Sequence, residues 1–106
     1  MIEINELIKM LEDNKLKNIS LYNVGSSEVE RFIIIATSSS IQQSKSVADI
    51  IAQKYDYQDK IEGYNKGEWI VFDFNTITLH IFLPKVREKY NLDKLYKPLK
   101  YNINKK

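Results

Sequence analysis

The chain of 106 residues contains no cysteine, one histidine and one tryptophan. Without cysteine there is no disulfide, no thiolate metal site and no thiol nucleophile, a composition that fits a reducing compartment. With one histidine, a metal would have to be held by acids, and these fall singly along the chain rather than at ligand spacing. No metal, cofactor or catalytic residue is therefore expected. Three glycines and two prolines leave little room for linkers. They also count against a phosphate-cradling loop: Ser38-Ser39-Ser40 offers a helix start but no glycine-rich turn leading into it. No apolar run approaches the ~20 residues of a membrane span. The opening Met1-Ile2-Glu3-Ile4-Asn5-Glu6 lacks the basic and apolar regions of a signal peptide and carries acids that transit peptides avoid. A cytoplasmic location with no membrane partner is the expectation.

Charge of one sign is also scarce. Sixteen Lys or Arg against 14 Asp or Glu leave a formal charge of +2, with an isoelectric point near 8.7. That is short of the basic stripe used by general nucleic-acid binders. Hydrophobic residues at 43% and charged residues at 28% are ordinary for a globular domain, so one domain with one core is expected.

What is present is periodicity. Ile4, Leu7, Ile8 and Leu11 recur at helical spacing over residues 4–14. Residues 18–24 alternate as a strand and, after Gly25-Ser26-Ser27, Phe32 to Ala36 is apolar without alternation, as in a strand covered on both faces. Thr37 to Ser40 supplies helix caps for residues 41–55, where Val47, Ala48, Ile51 and Tyr55 form a stripe. Strand, capped helix and next strand are expected to form a right-handed crossover.

A polar connection over residues 60–67 precedes two strands, Trp69 to Phe74 and Ile77 to Leu83, around the turn pair Asn75-Thr76. Counting from that turn puts Ile70, Phe72, Phe74, Ile77, Leu79 and Ile81 on one face, which must be core. The other face carries Trp69, Val71, Asp73, Thr78, His80 and Phe82 and is the expected partner surface. Periodicity alone leaves open whether a helix of the same domain covers Trp69 instead. Pro84 ends the second strand and starts a helix through Val86, Arg87 and Tyr90, followed by Leu92 and Leu95. Residues 1–97 form the expected domain, and 98–106 a basic, flexible tail.

Catalysis by His80 would require a positioned nucleophile and a third orienting group, and periodicity supplies neither. Single-strand nucleic-acid binding is conceivable from seven tyrosines and the basic residues, though most of the tyrosines also suit core edges. A non-enzymatic binding module remains.

Several segments taken together carry a resemblance: Ile33-Ile34-Ile35-Ala36-Thr37, Lys45 with Ala48-Asp49, Glu62-Gly63, Trp69-Ile70-Val71-Phe72-Asp73, His80-Ile81-Phe82, and Arg87 through Leu95 with its Tyr-Asn-Leu-Asp-Lys-Leu ending. Over residues 4–96 the chain resembles the ribosomal silencing factor family, also called Iojap-like. The resemblance implies an α/β (α+β) single domain with a mixed sheet and helices, nucleotidyltransferase-like without the catalytic acids. It implies a translational repressor whose partner is the large ribosomal subunit, at ribosomal protein number fourteen on the intersubunit face, where it blocks joining of the small subunit. It further implies a contact surface of Trp69, Asp73, His80, Phe82, Tyr90, Leu92 and Leu95, with Lys45 and Asp49. The chain departs from the family pattern at Arg31, Ser38-Ser39, Gln42, Asn75-Thr76 and Tyr96. A peripheral ribosomal RNA contact and a homodimer of the free chain are both compatible with the sequence. The rival functions are an RNA-binding accessory factor in large-subunit assembly and a nucleotide-binding, nucleotidyltransferase-like protein.

Overall fold

A computed structural model describes residues 2–101. The elements in chain order are α1 (Ile4–Asp13), β1 (Lys17–Asn23), β2 (Phe32–Thr37), α2 (Ile41–Lys54), β3 (Trp69–Asp73), β4 (Ile77–Phe82), α3 (Pro84–Tyr90), α4 (Leu92–Tyr96), a 3-10 turn (Lys97–Leu99) and β5 (Lys100–Tyr101). Among the described residues the strands form one mixed sheet in the order β3-β4-β2-β1-β5. The β2–β4 pair is parallel and every other pair antiparallel.

The apolar run of β2 does sit at the sheet centre, with Ile33 through Thr37 all buried. Alternation divides it between two faces. Ile34 and Ala36 join Leu21, Ile70, Phe72, Leu79 and Ile81 under α1 and α2, which contribute Leu7, Ile8, Leu11, Val47, Ala48 and Ile51. Each valine, leucine, isoleucine or phenylalanine among them, fully buried, contributes roughly 1.5–3 kcal/mol relative to exposure. Ile33 and Ile35 face the other way, where Tyr22 and Phe82 complete a smaller cluster against Val86, Leu92 and Tyr96 of α3 and α4. The two helical layers are unequal: α1 and α2 bury whole stripes, whereas α3 and α4 contain no fully buried residue.

The hairpin forms in the expected register. Ile70 pairs with Ile81 and Phe72 with Leu79, while Phe74 N–H donates to Ile77 O at 2.8 Å around Asn75-Thr76. Asn75 has φ +78°, a left-handed conformation that Asn tolerates better than most residues. Capping also accounts for the serines. Ser40 Oγ accepts from Gln43 N–H at 3.0 Å, and Gln43 Oε1 reaches back to Ser39 N–H and Oγ.

Two expectations are corrected. The helix after β2 does not lead to a parallel neighbour: β3 lands on the sheet edge, antiparallel to β4, and β4 occupies the place beside β2. The parallel crossover thus spans α2 and β3 together, because the tight Asn75-Thr76 hairpin forces β4 back alongside β3. The second correction concerns the end of the domain. Residues 98–101 are not a free tail: Lys97–Leu99 make a 3-10 turn, and Lys100 and Tyr101 pair with Tyr22 and Leu21 as an edge strand. The open hydrogen-bonding edge of β1 accounts for this pairing, since an unpaired edge is a template for added strand. The rest of the expected tail, 102–106, lies outside the described residues.

Candidate functional site

The outer face of the hairpin carries a ring stack built on the sheet register. Trp69 and Phe82 are directly opposed in β3 and β4, and their rings stack at 4.8 Å between centroids. His80, two residues from Phe82 on the same face, lies parallel to it at 5.9 Å. The indole N–H of Trp69 donates to His80 Nδ1 at 3.0 Å. Tyr90, the last residue of α3, closes the group with its ring 4.9 Å from that of Trp69.

The indole nitrogen can only donate, so His80 Nδ1 must be the acceptor and its proton sits on Nε2. Burial pushes the imidazole down to about 4 from 6.5. It is therefore neutral at physiological pH and holds the Trp69 ring in one orientation. Phe82 is completely buried, which corrects its expected place on the contact surface: the α3–α4 segment folds over this end of the sheet and makes Phe82 the floor of the stack. The question left open for Trp69 is answered in the middle. The indole is partly buried, with Tyr90 from the same domain on it. Tyr90 is 50% exposed and Leu95, on α4, 68%. Leu92 is half-buried against the lower cluster.

The other expected residues do not join this group. Asp73 is exposed at the far end of β3, where its carboxylate accepts from Asn75 N–H at 2.9 Å and caps the hairpin turn. Lys45 and Asp49 project from α2, the helix on the opposite face of the sheet, and meet Tyr64. The Tyr64 hydroxyl donates to Asp49 at 2.9 Å, while Lys45 Nζ lies 5.6 Å from the ring centroid.

A further group decides where the stack's upper wall stands. Arg87 of α3 makes a two-pronged pair with Asp93 of α4, Nε to Oδ2 and Nη2 to Oδ1, both at 2.9 Å. Its remaining N–H groups donate to Asn18 O at 2.6 Å, Thr37 Oγ1 at 2.8 Å and Ser20 Oγ at 3.2 Å. Asn18 lies in a bulge of β1 at φ +51°, and its carbonyl accepts from Arg87. Tyr22 of β1 donates its hydroxyl to Asp93 at 2.6 Å. The Arg87 guanidinium holds the Asp93 carboxyl below the ordinary carboxylate range. Burial, with the Asp93 bond, pushes the Tyr22 phenol up to about 12. The fold-back that unites Arg87 and Asp93 depends on Asn91, whose φ of +47° and ψ of +50° break the helix between them. The sequence reading assigned no role to Arg87 or Asp93. The available signal was Asn91 between two short apolar-periodic stretches, since Asn is among the few residues that enter the left-handed region readily.

An open cavity of about 380 Å³ beside this network is lined by Lys17, Ser38, Ser39 and Arg87 among others. All five Arg87 N–H groups are already engaged there, and the Ser38 hydroxyl is bonded to Ser44. Among the described residues no group of three or more His, Cys, Asp or Glu gathers where it could hold a metal ion, and no helix is long and apolar enough to cross a membrane. What the geometry presents on this face is a preoriented indole with an exposed tyrosine against it and an exposed leucine on the following helix.

The family model described as ribosomal silencing factor during starvation matches residues 2–105, and the chain belongs to the ribosomal silencing factor family. It is 31% identical to a ribosomal silencing factor of Chromobacterium violaceum over 104 residues, covering 90% of this chain and 85% of that protein. It is 30% identical to the ribosomal silencing factor of Zymomonas mobilis over 89 residues, 80% and 67% of the two chains. A mouse protein named mitochondrial assembly of ribosomal large subunit protein 1 is 24% identical over 102 residues, 89% of this chain and 45% of that one. A solved Chromobacterium violaceum structure superposes with a TM-score of 0.74 at 28% identity, covering 99% and 95% of the two chains.

Two outcomes follow from the geometry. Arg87→Met should lower unfolding free energy by roughly 2–4 kcal/mol, because Asp93 is left partly buried without its partner, and Arg87→Lys should restore only part of it because an ammonium cannot make the fork. Urea denaturation of both variants measures this, and losses under about 0.5 kcal/mol would remove the pair from its structural role. For His80 the folded state favours the neutral ring, so the unfolded chain binds the extra proton between pH 6.5 and about 4. Stability is therefore complete above pH 6.5 and falls by up to roughly 3 kcal/mol as pH drops to 4. An NMR titration of the histidine ring should show its midpoint near 4; a midpoint near 6.5 would mean that the ring is open to water.

Proposed function

We propose that this chain is a cytoplasmic translational repressor that docks on the large ribosomal subunit at ribosomal protein number fourteen and sterically prevents the small subunit from joining. The observation that carries the reading is the exposed Tyr90 against a Trp69 ring already held by His80, with Leu95 exposed on the neighbouring α4. Preorientation matters because ordering a side chain on binding costs about 0.5–1.5 kcal/mol, and His80 has already ordered this one. Membership of the silencing factor family supplies the ribosome as the partner class.

The mechanism is occupancy. A patch of ~800 Å² on each partner suffices for specific docking, and the body of the domain then stands where the small subunit must sit. At 100 times its dissociation constant, the factor would oppose joining by about 2.7 kcal/mol through linkage alone. Dilution or removal of the factor restores joining, since nothing is covalently changed. Trp69 and Tyr90 form the centre of the proposed contact, with Leu92 and Leu95 of α4 and Asp73 at its margins, while Lys45 and Asp49, on the other face of the sheet, fall outside it.

The name of the mouse relative favours a second reading, in which the bound chain assists large-subunit assembly. That reading predicts immature large subunits in cells lacking the protein, whereas repression predicts normal subunits that join too readily. For the docking itself, Leu95→Glu is the cleanest variant because the side chain is 68% exposed in the free chain. It and Trp69→Ala should each weaken co-sedimentation with large subunits by about 30-fold, the equivalent of ~2 kcal/mol for an interface anchor. Unchanged co-sedimentation of a folded Leu95→Glu chain would place the contact elsewhere.

A further inference from the structure

The C-terminal quarter of the chain carries a feature that the aromatic face does not use. Lys94 on α4, Lys97 at the start of the 3-10 turn and Lys100 on β5 line one groove of about 480 Å³, together with Ser20, Tyr22 and Asn91. The lysines stand on three successive elements held by β1, and Lys100 pairs directly with Tyr22, so their spacing is set by the fold. Asp93 also lines the groove, but its carboxylate is already engaged by Arg87 and by the Tyr22 hydroxyl. Among the described residues none of the three ammonium groups lies in an ion pair. The groove thus concentrates uncompensated positive charge on a chain whose total is only +2.

We propose that this lysine groove receives the phosphate backbone of ribosomal RNA when the chain is docked, an inference that rests on the large-subunit reading above. Ammonium groups on flexible stems suit evenly spaced phosphates, which need charge and reach rather than base readout. The groove also adjoins the aromatic face. Asn91 lines the groove, and its chain neighbour Tyr90 stacks on Trp69, so a partner seated on Trp69 brings its surroundings to the lysines.

The test is the salt dependence of binding to purified large subunits. It compares the wild-type chain, Lys94→Gln/Lys97→Gln/Lys100→Gln, and a control of equal charge change, Lys9→Gln/Lys54→Gln/Lys60→Gln. The groove variant should bind on the order of tenfold more weakly at low salt, with a slope of log affinity against log salt shallower by about 2 units. The control should match the wild type, as should binding of the groove variant to the isolated ribosomal protein number fourteen. A groove variant with wild-type slope overturns the proposal and leaves the docking reading standing. Equal loss on the isolated protein overturns it in favour of an acidic protein surface. A wild-type chain that does not bind large subunits overturns the docking reading itself, and the RNA contact with it.

Discussion

The Arg87–Asp93 pair is the constraint on which the outer half of the molecule depends. Helices of seven and five residues are too short to persist on local hydrogen bonding, and these two bury no residue completely. They stay on the sheet through Val86, Leu92 and Tyr96, which pack on the smaller apolar cluster, and through one guanidinium that bonds simultaneously to α4, to the β1 bulge and to the end of β2. Tyr90 ends α3 and Leu95 lies on α4, so the position of the proposed contact surface is set by a charged network several residues away. The inner face needs no such device, since α1 and α2 are held by a continuous aliphatic core.

The same division separates scaffold from site. The mixed sheet gives a rigid, twisted platform, and the antiparallel hairpin at one end presents alternate side chains outward. On that platform a neutral histidine fixes an indole, a buried phenylalanine supports both rings, and a tyrosine from the folded-back helix forms a wall. The depressed histidine, which in a cleft with a nucleophile would draw attention as a base, serves here to keep Nδ1 available as an acceptor for Trp69 Nε1.

Where a local period was strong, the sequence was legible. Alternation about Asn75-Thr76 assigned every residue of the hairpin to its correct face, and the helical stripes of α1 and α2 were visible for the same reason. Legibility failed where the outcome depended on contacts distant in the chain. Phe82 lies on the outward face as counted, yet it is buried because α3 and α4 return over it. Lys45 and Asp49 belong to a helix on the other side of the sheet, a fact that strand order decides and periodicity cannot. Arg87 resembled any exposed helical arginine until the left-handed Asn91 brought Asp93 back to it. Lys100 and Tyr101 read as tail because two residues make no pattern, whereas the open edge of β1 gives them a partner.

If a bound chain keeps the ribosomal subunits apart as proposed, a joining assay shows it without intermediate steps. Purified large and small subunits would be mixed at magnesium concentrations that favour association, with light scattering followed as the chain is titrated in. Scattering should fall to the level of free subunits at saturating wild-type chain and recover when the chain is removed. Full joining in the presence of a chain shown to be bound to the large subunit would contradict the proposal.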